Sequence, residues 1–447
     1  MVNLSEAQPG KTIAVQSTLN KHTITSLISE YTLIGYFFII SFFPFSASSI
    51  KLLCILTMIG CWIARVIVEK KPLSIKTPVN IPIFLFFFCL LLSSFFSNNI
   101  VRNLESILHD EIRCIIVFFC MINTIQNLDQ IRRIVIAMLT TCGLVCLYGL
   151  YGYNTEIAIR DGRLIATFEY HTLISEYISL LLPIVVCLFF YYKGILARLA
   201  MGILIAICGL SLILTMTRTS WVAVIITIIF ISLAIKRIYL TYILIGICTL
   251  LVFSLPSKYL QHAKTITQVD KFLTSEKIIG QRVSGWRESL RIIRDNPVFG
   301  LGPDNRTFRE TYLQYAEKTK TRENLKKVNA SEQSKKTKAK KKKLKKIIKL
   351  SHSHNIFLQM GIKAGIPGFL AFAWLFTLIF HTSIKSWRLV KAEYDKALLL
   401  GILASLISIF LHGLTENFWK KPTIVFLWFI IGILFVIYNT IRNKNKQ

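Results

Sequence analysis

The sequence predicts an all-α polytopic membrane protein with about 12 transmembrane helices and one large periplasmic loop that contains amphipathic helices. Hydrophobic residues make up 53% of its 447 residues and charged residues only 17%, against roughly 25% in a soluble domain. The apolar residues fall in continuous runs of about 18–22, the length that crosses a hydrocarbon core about 30 Å thick. These features exclude a soluble enzyme, a disordered protein and a secreted disulfide scaffold. The lack of alternation excludes a β-barrel.

Twelve apolar spans are predicted, nine before a long polar loop and three after it. They lie at 27–46, 49–68, 81–97, 113–125, 133–153, 173–192, 195–216, 219–235, 238–256, 366–384, 397–414 and 422–440. The chain therefore divides into a cytoplasmic N-terminal segment 1–26, transmembrane helices 1–9 over 27–256, a periplasmic loop over 257–353, a re-entrant segment with helices 10–12 over 354–440, and a cytoplasmic tail 441–447.

The basic residues predict the orientation. With the N-terminus inside, the inner side carries about 18 Lys and Arg and the short outer loops about 6. The loop 257–353 holds about 25 basic residues yet falls outside, which loops longer than about 60 residues do regardless of charge. We interpret its Lys335–Lys349 tract as a solvated, poorly ordered insertion, with a contact to anionic lipid or an acidic glycan as the alternative. No nucleic-acid partner is expected, because the net charge of +30 lies in this loop and in links between spans.

The cysteines indicate neither a disulfide framework nor a zinc site. All ten lie in or beside apolar runs and none lies in the long polar loop. We expect their thiols to pack as small apolar groups.

Two short outer links carry arginines next to the membrane. The link 154–172 places Arg160 and Arg163 there, with simple loop solubility as the alternative. In LTMTRTSW, residues 214–221, Arg218 lies in a tight turn between two apolar helices. Ionisable groups held near the bilayer usually mark function, although snorkelling from a helix end is the alternative.

The segment 281–305 predicts an amphipathic helix on the membrane surface. Ser284 can cap this helix and Asn296-Pro297 ends it. Its apolar stripe is Val283, Trp286, Leu290 and Ile293, and its basic residues are Arg282, Arg287, Arg291 and Arg294. Arginine suits a diphosphate, because its planar fork donates two parallel hydrogen bonds and keeps its charge. A plain basic interfacial helix is the alternative. Gly300 and Gly302 predict a flexible turn after it.

Two histidines, His352 and His354, end the long loop just before the apolar pattern resumes. Histidine can take or give a proton near neutral pH. Their spacing allows a metal, but no cysteine or carboxylate lies nearby in the sequence to complete a site, so none is expected. Three glycines and a proline then predict a short helix, a break and a true span: Gly361, Gly365, Pro367 and Gly368.

Arginines and a histidine thus converge on the outer membrane face. This pattern favours an enzyme that acts on a lipid-linked anionic substrate over a membrane transporter. A proton-driven transporter tends to show a cluster of membrane carboxylates, and here Glu30 and Glu176 stand isolated in the sequence. A structural anchor for the basic loop is a further alternative, but it leaves Arg218 unexplained.

At these residues the chain resembles the O-antigen ligase family. His354-Asn355, followed by nine residues, Gly365, two residues and Gly368, is similar to the family's histidine-asparagine and double-glycine motif. RVSGWRESLRIIRDNPVFGLGPDN resembles its Arg–Trp helix and NP-x-x-G-x-G turn, and TMTRTSW its threonine/serine-arginine turn. The segment ATFEYHT after Arg163 departs from the family pattern, so no role is assigned to His171.

The resemblance implies an inverting glycosyltransferase of the bacterial inner membrane, with a periplasmic active site and neither metal nor cofactor. It implies a glycan on undecaprenyl diphosphate as donor and a sugar hydroxyl of lipid A–core oligosaccharide, or another glycan, as acceptor. His354 would be the general base, and Arg218 and Arg282 would bind the diphosphate. Arg163 and Arg287 are further diphosphate candidates, and the supporting residues are Asn355, His352, Trp286, Gly365 and Gly368. Of these, Asn355 would orient the histidine or the acceptor. A repeat-unit polymerase and a protein O-oligosaccharyltransferase remain alternatives.

Overall fold

The computed structural model describes residues 9–69, 75–238, 279–315, 353–419 and 422–444. Most of the predicted loop 257–353, including Lys335–Lys349 and His352, lies outside them. In chain order the helices are α1 (Pro9–Phe42), α2 (Ser48–Glu69), α3 (Asn80–Phe95), α4 (Ile100–Ser106), α5 (Ile112–Thr124), α6 (Leu128–Asn154), α7 (His171–Tyr191), α8 (Ile195–Leu214), α9 (Arg218–Ala234), α10 (Ile279–Asp295), α11 (Ile356–Leu389), α12 (Glu393–Gly413) and α13 (Thr423–Lys444). A π-helical turn, Ile107–Glu111, joins α4 to α5, and residues 305–315 are also helical.

The predicted all-α polytopic membrane fold is confirmed. In the described part of the chain, 8 helices are long and apolar enough to cross a membrane, and α3 and α9 are shorter apolar helices. Eleven of the twelve predicted spans fall on helices, and the span at 238–256 lies outside the described residues. The fourth predicted span, 113–125, is the end of a longer helical run that begins at Ile100. The number of membrane crossings stays a prediction.

The helix α7 forms the centre of the bundle. In its most apolar stretch 89% of the residues are buried, and the helix packs against α12, α8, α9 and α13. Its sequence is apolar on every side, as expected for a helix with neighbours all round. By contrast, α2 and α8 lie at the periphery of the bundle, and only 22% of the most apolar stretch of each helix is buried. Their exposed apolar side chains therefore face the lipid.

The link between α6 and α7 is a hairpin rather than an irregular loop. Strand β1 (Ile159–Arg160) pairs antiparallel with β2 (Arg163–Leu164), so Arg160 lies opposite Arg163. The two turn residues, Asp161 and Gly162, have φ values of 54° and 72°. An Asp-Gly pair favours this two-residue turn, whose twist matches the strands. The hairpin fixes where the arginines stand relative to the helix ends.

The membrane glutamates are not isolated, contrary to the sequence expectation. Arg133 at the start of α6 donates two hydrogen bonds to Glu30, one of them 2.8 Å long. The carboxylate of Glu176 accepts a 2.7 Å hydrogen bond from Thr423 and lies 3.6 Å from Nδ1 of His412. Each partner comes from a distant part of the chain, so sequence spacing could not reveal it. Both carboxylates stabilise contacts between helices.

The cysteines of the described part are free thiols, and all but Cys54 are buried. Three of them meet between α6 and α8, where Sγ of Cys208 lies 3.7 Å from Cys142 and 3.9 Å from Cys146. The three sulfur atoms are close enough to hold a metal ion. Several thiolates in an apolar bundle would carry an uncompensated charge, which favours neutral, packed thiols there.

The amphipathic helix α10 differs from its prediction at two points. It begins at Ile279, so Ser284 lies inside the helix and is not its N-cap. Its buried face is Gly285, Glu288, Ser289 and Ile292, while the predicted apolar stripe is partly exposed at Val283 and Leu290. Ile292 packs with Phe308, Tyr312 and Ile362 in a second, small apolar cluster. The helix thus binds the protein on one side and leaves apolar side chains for the membrane surface on the other.

Candidate active site

The carboxylate of Glu416 joins two of the predicted site residues. Its Oε1 accepts a 2.6 Å hydrogen bond from Nη2 of Arg282, and its Oε2 lies 2.9 Å from Nδ1 of His354. The carboxylate is nearly buried, whereas the arginine and the histidine keep about a quarter of their side chains exposed, at 27% and 25%. Three separate stretches of chain therefore meet at one charged centre that opens to the exterior of the fold.

The bond to Glu416 fixes the tautomer of His354. A carboxylate beside an arginine is ionised and can only accept hydrogen bonds, so Nδ1 of the imidazole carries the proton. This leaves Nε2 as the nitrogen that can take a proton from another group. His354 also has a φ of 51°, a conformation that is uncommon outside glycine. Its backbone carbonyl accepts a 3.4 Å hydrogen bond from the indole of Trp286.

Asn355, the residue after the histidine, connects two segments of the chain through hydrogen bonds of its side chain. Oδ1 of Asn355 accepts hydrogen bonds from the backbone N–H groups of Phe357 and Leu358, which makes it the N-cap of α11. Its Nδ2 donates a 2.9 Å hydrogen bond to the carbonyl of Leu414, two residues before Glu416. One amide side chain thus ties the start of α11 to the segment that follows α12, and so holds His354 beside Glu416.

The glycine-containing turn after α10 packs directly against the glycine-containing segment of α11. The helix α11 breaks at Ala364 and Gly365, where φ is 67° at the glycine. The N–H of Ile366 donates a 2.7 Å hydrogen bond to the carbonyl of Pro297, and the N–H of Leu301 donates one of 2.7 Å to the carbonyl of Ile362. A Cβ atom at Gly365 would collide with the carbonyl of Val298. The turn after α10 therefore fits into the break of α11.

A buried ion pair lies next to this junction. The ammonium of Lys363 lies 3.8 Å from the carboxylate of Glu111, and both side chains are almost fully buried. The indole of Trp419 donates to both oxygens of that carboxylate, at 2.9 and 2.7 Å. Trp419 stands three residues after Glu416. The network therefore fixes the segment that carries the carboxylate to the break of α11.

Arg218 approaches the same centre from the α8–α9 turn. The turn is closed by a 3.0 Å hydrogen bond from the indole of Trp221 to the carbonyl of Leu212, and Arg218 itself is half-buried at the first position of α9. Its guanidinium lies within electrostatic range of Arg163 and Arg282. Like charges gathered in a partly buried position attract an anion to the space between them.

Arg163 is held by the hairpin and by a histidine. Its Nη1 lies 2.8 Å from Nε2 of His171. Because arginine can only donate, that ring nitrogen is an acceptor and carries no proton. Electrostatic interactions reach from His171 to both Arg163 and Glu416, so the hairpin borders the same centre.

The comparisons with known proteins point to one family. The sequence model of the O-antigen ligases matches residues 203–373, a segment that contains Arg218, Arg282 and His354. Over these residues the chain is similar to the O-antigen ligases. No curated protein matches the chain.

This similarity supports a ligase- or polymerase-type function in general, and hence a glycosyltransferase-type enzyme. Such ligases take a lipid-linked glycan and a glycan acceptor in a membrane. The matched segment ends before Glu416 and begins after Arg163 and His171. The charged centre therefore includes residues from both sides of the matched segment.

Most of the predicted site residues gather in one region. His354, Arg282, Trp286 and Asn355 are joined by the hydrogen bonds described above, and an added Cβ atom at Gly368 would collide with the side chain of Ala364 at the break of α11. Arg287 is exposed on α10, and among the described residues no hydrogen bond or ion pair joins it to Glu416. His352 lies outside the described residues.

Sequence reasoning missed two residues of the candidate site, Glu416 and His171. Glu416 is 134 residues from Arg282 and 62 from His354, so no local pattern links them. A signal was nevertheless present, because Glu416 is an acid that directly follows an apolar run in a strongly basic chain. For His171 the signal was the Asp-Gly pair of the preceding hairpin, which folds Arg163 back toward it.

Proposed function

We propose that this protein is an O-antigen ligase. It transfers a glycan from undecaprenyl diphosphate to a sugar hydroxyl of lipid A–core oligosaccharide on the periplasmic face of the bacterial inner membrane. The observation that carries the proposal is the Glu416 carboxylate, which holds a guanidinium and an imidazole from two separate motifs at one place. This geometry suits a base and an anion-binding group that act on the same substrate.

His354 acts as the general base. Nε2 takes the proton from the acceptor hydroxyl while the oxygen attacks the anomeric carbon of the donor sugar. A positioned base of this kind is worth about 10²–10⁴ in rate. Glu416 at Nδ1 stabilises the imidazolium that forms. Attack from the face opposite the diphosphate inverts the configuration of the anomeric carbon.

The arginines stabilise the leaving group. As the bond between the anomeric carbon and the diphosphate oxygen breaks, negative charge develops on the diphosphate. Arg218 and Arg282 bind it, and Arg163 adds positive charge from the hairpin. Fixed guanidinium groups in a water-poor site act most strongly where the charge develops. A guanidinium has five N–H donors, so the bond from Arg282 to Glu416 leaves others for a phosphate. The donor is already activated, and no metal or nucleotide is required.

The proposal is tested by replacing the base. His354→Ala is expected to lower glycan transfer by about 10²-fold or more, because the acceptor hydroxyl loses its proton acceptor. The measurement is the initial rate of transfer from a glycan on lipid diphosphate to purified core acceptor, with the variant reconstituted in liposomes. His381→Ala, an exposed histidine of α11, is the matched control and should keep the wild-type rate. A His354→Ala variant that transfers at the wild-type rate would overturn the assignment.

A deletion strain distinguishes the acceptor. Loss of a ligase gives bare core on a lipopolysaccharide gel, with full-length glycan stranded on the carrier lipid. Loss of a repeat-unit polymerase gives core capped with a single repeat. An unchanged gel would point to a protein hydroxyl or another polysaccharide as acceptor. Only the first pattern agrees with the proposed function.

A further inference from the structure

A crevice opens on the lipid-facing side of the bundle, and none of its lining residues belongs to the site described above. It lies between α6 and α8 and has a volume of about 340 Å³, within the range of small-ligand pockets. Its rim includes Ile136 and Ile203, both more than half exposed, and its floor includes Leu139 and Leu204, which are buried. The walls are almost entirely apolar. Such a crevice within a membrane accommodates hydrocarbon.

The crevice has a closed end and an open end. Toward the candidate active site it narrows at Gly143, where an added Cβ atom would lie 3.1 Å from the side chain of Leu204. The helices approach closely there because glycine has no side chain. At the other end it reaches Tyr192 and Tyr394, at the ends of α7 and α12. From Val135 to Gly143 the length is about 12 Å at 1.5 Å per residue, which suits an acyl chain lying along the helices.

Basic groups surround the open end. The guanidinium of Arg132 lies over the ring of Tyr394, 4.9 Å from its centroid. Nε of Arg198 donates a 2.6 Å hydrogen bond to the carbonyl of Tyr192, and Lys193 follows that residue directly. Asp129 takes one contact of Arg132, at 3.2 Å, and Asp395 lies within electrostatic range of the same guanidinium. Three basic groups therefore face two carboxylates at this end. All three basic side chains are exposed.

We infer that this crevice binds an anionic phospholipid. One acyl chain lies in the apolar crevice and the phosphate contacts Arg132, Arg198 and Lys193. Basic pockets between membrane helices at the basic side of a bundle bind such headgroups. By the distribution of Lys and Arg in the links, this is the cytoplasmic leaflet, opposite the candidate active site. The inference does not depend on the proposed function.

The test compares two lipids with identical acyl chains. Phosphatidylglycerol and phosphatidylcholine are titrated onto the full-length protein in detergent, and bound lipid is counted by native mass spectrometry. We expect phosphatidylglycerol to bind about tenfold tighter, since its headgroup carries a net negative charge beside the basic residues and that of phosphatidylcholine does not. Arg132→Gln with Arg198→Gln should remove that preference. The control pair Lys385→Gln with Arg388→Gln changes the charge equally, at exposed positions of α11, and should keep it.

A second variant tests the crevice itself. Ala200→Trp fills it from an exposed position on α8 and should weaken binding of both lipids, whereas Leu196→Trp, also exposed on α8 but outside the crevice, should not. Equal binding of the two lipids to the wild-type protein would overturn the inference. So would an equal loss in the Lys385/Arg388 control, or full binding in Ala200→Trp.

Discussion

Glu416 contacts both of the groups to which we assign chemistry in the candidate site. Because one carboxylate contacts both Arg282 and His354, it orients the proposed anion-binding group and the proposed base relative to each other. It also compensates part of the positive charge that Arg163, Arg218 and Arg282 bring together. In the proposed reaction, arginines alone would bind the diphosphate product more tightly than the donor, because the product carries more negative charge. The carboxylate would then compete with the phosphate for Arg282, which favours release of the product.

Removing the charge of this carboxylate without changing its shape separates these roles. Glu416→Gln can still accept a hydrogen bond from Nδ1 of His354, but it no longer stabilises the imidazolium. We expect the rate of glycan transfer to fall by about 10- to 100-fold, less than the full contribution of a general base. The measurement is the initial rate at saturating donor. Glu105→Gln, at an exposed position of α4, serves as the control. An unchanged rate in Glu416→Gln would contradict the role.

The site residues that sequence analysis found can be recognised from their neighbours in the sequence, whereas those it missed cannot. Arg218, Arg282 and His354 stand beside apolar runs, where an ionisable side chain is conspicuous without knowledge of its partners. Glu416 and His171 derive their roles from contacts across the fold. Asn355 was predicted to orient the histidine or the acceptor. Its N-cap and its bond to Leu414 show how the histidine's segment is held, while any contact with the acceptor stays a prediction.

At the level of elements, the break of α11 is what brings the motifs together. The conformation at Gly365, with φ 67° and ψ −171°, is open essentially to glycine alone. It exposes backbone groups at residues 362–366, and the turn after α10 satisfies them. The sequence predicted this break from its glycines and proline. It could not predict that the turn at Pro297 would fill it, because the two segments are more than 60 residues apart in the chain.

Gly365→Ala tests this junction. The new Cβ atom meets the carbonyl of Val298 and the backbone is forced into a strained region, so we expect a loss of about 1–3 kcal/mol in stability. Glycan transfer should fall as well, because α10 and Arg282 shift relative to His354. Thermal unfolding in detergent and the transfer rate measure the two effects. Gly209→Ala, where an added Cβ meets nothing within 4 Å, is the control. Equal melting temperatures for the two variants would refute this packing.

At the scale of the whole molecule, the two ends of the bundle carry different sets of charged groups. One end gathers the hairpin, the α8–α9 turn, α10 and the segment after α12 around a charged centre. The other end holds the basic links between spans and the ion pair of Arg133 with Glu30. The helical membrane fold followed from run length and hydropathy alone, since a lipid environment permits few alternatives. The packing order of the helices did not, because nearly all of them are equally apolar.

The orientation of the bundle decides whether the candidate site faces the donor glycan. By the positive-inside rule, Thr155 in the link before the hairpin lies outside and Lys193 lies inside. Both positions are exposed. A membrane-impermeant maleimide should therefore label Thr155→Cys in intact spheroplasts, and Lys193→Cys only after lysis. The parent chain sets the background, which should be low because its described cysteines are buried or half-buried. The reverse pattern would put the arginines and His354 in the cytoplasm, where the proposed reaction could not take place.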